Sequence, residues 1–262
     1  MKNTKILATY GPSVAEAGLV VKLVESGANL FRVNCSHGGA ADFRAAVDLI
    51  RGATAPAKFP IGVLFDISGP KLRLDRFPGE LAIAEGTELT LTTAETDLTS
   101  GQIGVNHPEV VNSLRPGNQI FIDDGQYLFD VIDRNGDSVR VRSRGNGVLL
   151  GGKGINLPGV KLGIPTITEK DREDIATAVA CEADYIALSF VRSPDDVWEA
   201  REFVQSAGGS QRVIAKLEKR EAIEQLEAIM AAADGVMVAR GDLGVELPPE
   251  ELPRLQRHIT RM

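Results

Sequence analysis

The chain has 262 residues, 43% hydrophobic and 25% charged, with a formal net charge of −7 at neutral pH. This is a globular composition with ample core material, and its acidic balance argues against a nucleic-acid or anionic-membrane partner. No apolar stretch reaches the roughly 18–20 residues that span a bilayer. The apolar run in MKNTKILATYGPS is broken by Tyr10-Gly11-Pro12, unlike a signal peptide, and Cys35 and Cys181 have no metal-ligand spacing. Free thiols and a cytoplasmic location are expected.

In chain order, short apolar runs predict buried parallel strands at 4–9, 28–33 and 61–66, with amphipathic helices at 16–27 and 41–52 between them. From about 70 to 158 the chain reads instead as short β-runs separated by turns, and Arg134-Asn135-Gly136-Asp137 predicts a hairpin. Strand–helix alternation then resumes. Helices are expected at 169–183, 193–209 (opened by Ser193-Pro194) and 220–233, and strands at 184–190, 212–218 and 235–240. The third and fourth strands thus start at 61 and 184, far wider than the spacing elsewhere, which marks a small all-β insertion after the third strand. The expected division is 1–69, 70–158 and 159–262. Six βα units imply a parallel α/β sheet with right-handed crossovers. A (β/α)8 barrel has eight, so periodicity leaves both an open sheet and an incomplete barrel possible.

Polar residues cluster at the C-terminal ends of these strands, where α/β folds place their sites. The second strand ends in Arg32, Asn34, Ser36 and His37, the first three alternating onto one face. The third ends in Asp66, followed by Lys71 and Arg73; the fifth carries Lys216 and Glu218; the sixth runs into Arg240-Gly241-Asp242. Taken singly, each is an ordinary loop residue, His37 an ordinary loop or cap histidine, and Cys35 a packing residue. Together, Glu218 and Asp242 supply hard oxygen ligands for Mg²⁺, and Lys216 and Arg32 offset charge on phosphate or carboxylate. That combination suits a metal-assisted reaction on an anion.

The residues also resemble one family, pyruvate kinase. TKILATYGPS, GANLFRVNCSHG, LFDISGPKLR, FIDDG, GKGINLPG, EKDREDI, YIALSFVRS, VIAKLEKREA and DGVMVARGDLGVELP each look like a family signature, in the family's order. The resemblance implies an incomplete (β/α)8 TIM barrel, 1–69 and 159–262, with 70–158 as its lid-like B domain. It implies phosphoryl transfer from phosphoenolpyruvate to ADP, giving pyruvate and ATP. Lys216 would stabilise the transition state, and Glu218 and Asp242 would hold Mg²⁺ or Mn²⁺. Arg32 would bind the phosphoryl group, and the Gly241-Asp242 backbone the substrate carboxylate. Asn34, Ser36, His37, Arg73 and Lys153 match nucleotide or phosphate positions.

Departures from the family carry their own expectations. Asp66-Ile67-Ser68-Gly69-Pro70-Lys71 has lysine where many members have glutamate, resembling the potassium-independent branch. The Lys71 ammonium would then replace the monovalent cation otherwise held at Asn34, Ser36 and Asp66, and is counted among the catalytic groups. Lys219 stands where the family commonly has asparagine; it adds charge near the metal position and is expected to face solvent, while Tyr10 and Cys35 replace apolar residues. The resemblance also implies two further barrel strands and a C-terminal domain beyond Met262, with only the start of a helix at PRLQRHITRM. A chain cut there would be weakly active or inactive unless completed by self-association. The alternatives are a metal-dependent aldolase or lyase acting on a pyruvate enolate, and a non-catalytic phosphoenolpyruvate- or nucleotide-binding paralogue. An ammonium at the cation position repels K⁺. Exchanging tetramethylammonium for K⁺ is therefore expected to leave pyruvate formation unchanged, and a several-fold rise in rate would contradict the assignment of Lys71.

Overall fold

The first three apolar runs form β1 (Ile6–Tyr10), β2 (Ala28–Asn34) and β3 (Gly62–Ile67), joined by α1 (Ala17–Glu25) and α2 (Ala40–Thr54). The computed structural model describes residues 4–262, so residues 1–3 of the expected first segment lie outside the described residues. After β3 the period changes from helix-linked to hairpin-linked. Strands β4 (Glu80–Ile83), β5 (Glu88–Thr92) and β6 (Gln102–Gly104) lead through the short α3 (Pro108–Ser113) to β7 (Gln119–Ile122) and β8 (Tyr127–Asn135). Strands β9 (Ser138–Ser143), β10 (Gly147–Leu150) and β11 (Ile155–Asn156) complete the insertion. Helix α4 (Glu169–Ala180) then feeds β12 (Tyr185–Leu188), α5 (Pro194–Ser206) and β13 (Arg212–Leu217). The remainder is α6 (Arg220–Glu224), α7 (Leu226–Ala232), β14 (Gly235–Val238), α8 (Arg240–Glu246) and α9 (Leu252–Ile259).

The chain divides into two compact units. One comprises the residues up to Pro70, Thr166–Leu217 and Glu221–Val238; the other comprises Lys71–Pro165, Glu218–Arg220 and Ala239–Met262. The first unit holds a six-stranded parallel sheet in the order β1-β2-β3-β12-β13-β14. This is the sheet of an incomplete TIM barrel of six βα units. Its middle strands are almost wholly buried, as parallel strands covered by helices must be, through Val63, Phe65, Ile186, Leu188, Val213 and Leu217. The edge strands are not. Ile6 and Leu7 on β1 are exposed, and every residue of β14 is half-buried.

Three side chains fasten the N-terminal ends of this sheet. Asn29 Oδ1 accepts from Ile6 N at 3.0 Å, Asp184 Oδ2 from Val63 N at 2.7 Å, and Asp234 Oδ2 from Val213 N at 2.8 Å. In each case a residue at or just before one strand's start satisfies the first amides of a neighbouring strand. Each aspartate is also gripped by an arginine of a preceding helix: Arg51 reaches Asp184 at 2.9 Å, and Arg201 reaches Asp234 at 2.8 Å.

The second unit contains the all-β insertion, a six-stranded sheet in the order β11-β7-β8-β9-β5-β6 beside a β4–β10 pair. It has its own core, centred on Phe129, Ile120, Val139, Val141, Leu91 and Ile103. The expected hairpin joins β8 to β9, with Asn135 opposite Ser138 and Gly136 at a φ of 56° in the two-residue turn.

Two expectations are corrected. The helix read at 220–233 is two, broken at Gln225, whose side-chain amide donates to the Arg192 carbonyl at 3.1 Å. The sixth strand ends at Val238 rather than 240, and Arg240-Gly241-Asp242 is the first turn of α8, not a loop. Leu243 and Glu246 form that helix's buried side at helical spacing, and Leu247 is buried just past its end.

The Asp184 carboxylate does more for its amide than for its arginine, because a half-exposed ion pair contributes little. Asp184→Ala orphans the Val63 N–H and is expected to lower stability by about 1–3 kcal/mol. Urea denaturation checks this, with Asp184→Asn expected to lose less. An unchanged midpoint for the alanine variant would contradict the role.

Candidate active site

Register and alternation bring polar groups together at the C-terminal end of the parallel sheet. Asn34 lies opposite Asp66 across the β2–β3 ladder, and Arg32, two residues earlier, faces the same side. Asp66 is 2% exposed. Arg32 Nε donates to Asp66 Oδ2 at 2.6 Å, with a terminal guanidinium nitrogen at 2.5 Å, while Lys216 Nζ stands 3.0 Å from Oδ1. Lys216, 9% exposed on β13, also donates to Ser189 Oγ at 2.7 Å. Arg32 reaches Thr9 Oγ1 at 3.3 Å. Thus β1, β2, β3 and β13, with the residue following β12, each contribute to one cluster.

The charge balance of that cluster decides what it can do. Arg32 and Lys216 both pair with the Asp66 carboxylate, and these three side chains together carry a net charge of +1. Asp66 offsets the repulsion between the cations and fixes their geometry. Burying such a set costs desolvation that only good hydrogen-bonding geometry repays, so its value lies in placement rather than stability. What remains is a preorganised positive site suited to a phosphoryl or carboxylate group.

Its surroundings are tightly built. Phe190, after Ser189, has a φ of 56°, uncommon for a bulky residue. A side chain on Gly69, itself at a φ of 64°, would meet the Phe190 ring at 2.7 Å. Glycine is required there. The Gly69 amide donates to Asp171 Oδ1 at 3.1 Å, and the other Asp171 oxygen accepts from the Thr168 amide and hydroxyl at the start of α4. Lys170 holds the Cys35 carbonyl at 2.9 Å and Asp174 at 2.6 Å. Burial raises the Asp174 carboxyl above the usual carboxylate range, an effect that Lys170 partly offsets. Burial likewise pushes the Cys35 thiol far up, which leaves it an inert packing residue. Asn34 Oδ1 accepts from the Ser36 amide at 3.1 Å, and His37 is exposed.

The second unit carries the remaining candidates. Glu218, directly after β13, is 2% exposed, and Asp242 lies exposed in the first turn of α8. Lys219 does not face solvent as expected: its Nζ pairs with Glu246 Oε1 at 2.5 Å, and Glu246 is itself 3% exposed. Within the insertion, Lys153 Nζ pairs with Asp123 at 2.9 Å. Arg73 donates to the Gly152 carbonyl at 2.7 Å, and the amide of the next residue, Leu74, to the Lys153 carbonyl at 2.9 Å. Arg73 and Lys153 are therefore neighbours although 80 positions apart. The Lys71 carbonyl accepts from Asn106 at 2.8 Å.

The expected site residues thus fall into groups. Arg32, Asp66 and Lys216 share a cluster, with Asn34 and Ser36 along the same strand end; Arg73 and Lys153 share another. Glu218 and Asp242 belong with Lys71 to the second unit, whereas Asn34, Ser36 and Asp66 belong to the first. Among the described residues, no three His, Cys, Asp or Glu side chains gather into a ready-made metal cage. A carboxylate pair suits Mg²⁺, which typically takes one or two protein carboxylates and completes its shell with substrate oxygens and water. Sequence reasoning missed Ser189, Glu246 and the anchoring role of Asp66. The polar Ser189 at the end of an apolar strand was the one available signal.

A family model described as "Pyruvate kinase, barrel domain" matches residues 1–262. The chain belongs to the pyruvate kinase family. It is 40% identical to the pyruvate kinase of Methylorubrum extorquens over 262 residues, covering all of this chain and 54% of that protein. It is 40% identical to the pyruvate kinase of Mycobacterium intracellulare, covering all of this chain and 56% of that protein. Identity to pyruvate kinase 2 of Synechocystis is 38%, over 98% of this chain and 44% of that one. The chain thus spans about half the length of these pyruvate kinases.

Proposed function

We propose that this chain carries the phosphoryl-transfer chemistry of pyruvate kinase, moving the phosphoryl group of phosphoenolpyruvate to ADP to give pyruvate and ATP. The observation that supports this best is the buried Lys216 ammonium, held at once by Asp66 and Ser189. Phosphoryl transfer asks little covalent chemistry of a protein; it asks for positioned charge. The Lys216 ammonium offsets negative charge on the transferring group and on the enolate oxygen left behind. The Arg32 guanidinium, aligned by Asp66 and Thr9, orients the phosphoryl oxygens.

Glu218 and Asp242 would hold a divalent cation, Mg²⁺ or Mn²⁺. When bound, such an ion supplies Lewis-acid neutralisation of phosphate charge. The backbone at Gly241-Asp242 receives the substrate carboxylate. Arg73 and Lys153, neighbours within the insertion, bind nucleotide phosphate; Asn34, Ser36 and His37 at the end of β2 are separately assigned nucleotide- or phosphate-binding roles. Lys71 takes the place of a monovalent cation. We place the reaction in the cytoplasm, the reducing setting expected for the free Cys35 and Cys181 thiols. The exposed apolar side chains of edge strand β1 favour self-association of copies.

A lactate-dehydrogenase-coupled assay with phosphoenolpyruvate, ADP and Mg²⁺ tests the reading. Wild type is expected to form pyruvate above background. Lys216→Met is expected to lose at least about 10²-fold in turnover, the scale for removing a preorganised charge at a reacting group, with circular dichroism unchanged. A folded Lys216→Met variant retaining most of the activity would contradict the proposal.

A further inference from the structure

Glu218 and Asp242 come from segments separated in sequence, and both must be held in register to grip one cation. The structure contains a direct tie between those segments. Lys219 follows Glu218 immediately, and Glu246 lies one helical turn after Asp242 on α8. Lys219 Nζ and Glu246 Oε1 are 2.5 Å apart. Arg220, the next residue, adds a second tie by donating to the Glu246 carbonyl at 3.1 Å. Both residues after Glu218 therefore fasten onto the last residue of α8. Glu246 is 3% exposed, and the Lys219 side chain 20%. A pair desolvated to this extent is a poor source of net stability but a strict constraint on distance.

We infer that the Lys219–Glu246 ion pair is a positioning device that fixes the separation of the Glu218 and Asp242 carboxylates and so sets the affinity for the divalent cation. This rests on the proposed metal role of those two carboxylates. In this proposal Lys219 acts through Glu246 and not as a ligand of the cation. Its influence is geometric, which gives its test a distinctive sign. Through space, a lysine ammonium beside a dication site is repulsive, so removing its charge tightens metal binding. Through geometry, removing it releases α8 from the Glu218 segment and weakens binding.

Mn²⁺ is the probe, titrated into the whole chain well below its unfolding temperature and followed by the electron paramagnetic resonance of the free ion. Lys219→Met is expected to weaken Mn²⁺ binding about tenfold, the low end of what groups behind the ligands contribute to metal affinity. Lys219→Arg, which keeps the charge and reach, is expected to stay within about twofold of wild type. Unchanged or tighter binding by folded Lys219→Met overturns the inference. Should that variant not fold, Lys219→Gln answers the same question with the same expected sign. Asp242→Asn separates the two levels. If wild type binds no Mn²⁺, or Asp242→Asn binds it equally well, the metal reading fails and the inference with it. If Asp242→Asn binds poorly and Lys219→Met binds like wild type, only the positioning role fails.

Discussion

One buried carboxylate governs the chemistry-bearing end of this molecule. Asp66, at the end of a central strand, receives the Arg32 guanidinium on one oxygen and faces the Lys216 ammonium with the other. Without it the half-buried Arg32 and the buried Lys216 would lose the carboxylate that offsets their mutual repulsion. With it, their positions are set by strands β2, β3 and β13 rather than by flexible loops. Ser189 and Thr9 complete the arrangement from two more strands. Every strand from β1 to β13 in the parallel sheet, or the residue next to it, thus contributes to a single electrostatic object.

The opposite end of the same sheet works differently. There Asn29, Asp184 and Asp234 each satisfy the first amides of a neighbouring strand, and helix-borne arginines hold the two aspartates. Carboxylates at this end close backbone hydrogen bonds; the carboxylate at the other end organises side-chain cations. This division follows the general rule that parallel α/β folds keep stability at the N-terminal face and chemistry at the C-terminal face. It explains how a polar cluster survives among strands as apolar as β3 and β12.

Much of this was legible in the sequence, for physical reasons that can be named. Buried parallel strands are short apolar runs, and Val63 through Ile67 could hardly be read otherwise. The Asn135-Gly136 turn announced its hairpin because few residue pairs accept that backbone. Arg32, Asp66 and Lys216 stood out because charge at the end of an apolar strand needs a reason. What stayed hidden depended on partners. Glycines at 241 and 244 mask the helical signal of α8, and only the spacing of Leu243 and Glu246 betrays it. Lys219 looked like a surface charge because its partner lies 27 residues on. Gln225 sits at its helix break with its side chain on a carbonyl supplied by another loop, a partner 33 residues away in sequence. Ser189 is an unremarkable residue type until Lys216 is seen to donate to it.

The central claim is that Arg32 acts through its alignment by Asp66, so that the two residues form one functional unit. A double-mutant cycle on turnover of phosphoenolpyruvate measures this directly, using Arg32→Met, Asp66→Asn and the combined variant. Groups that act as a unit lose their effect together, so the double variant is expected to be no slower than the slower single variant. Losses that multiply would show that Arg32 and Asp66 act independently and would contradict the account.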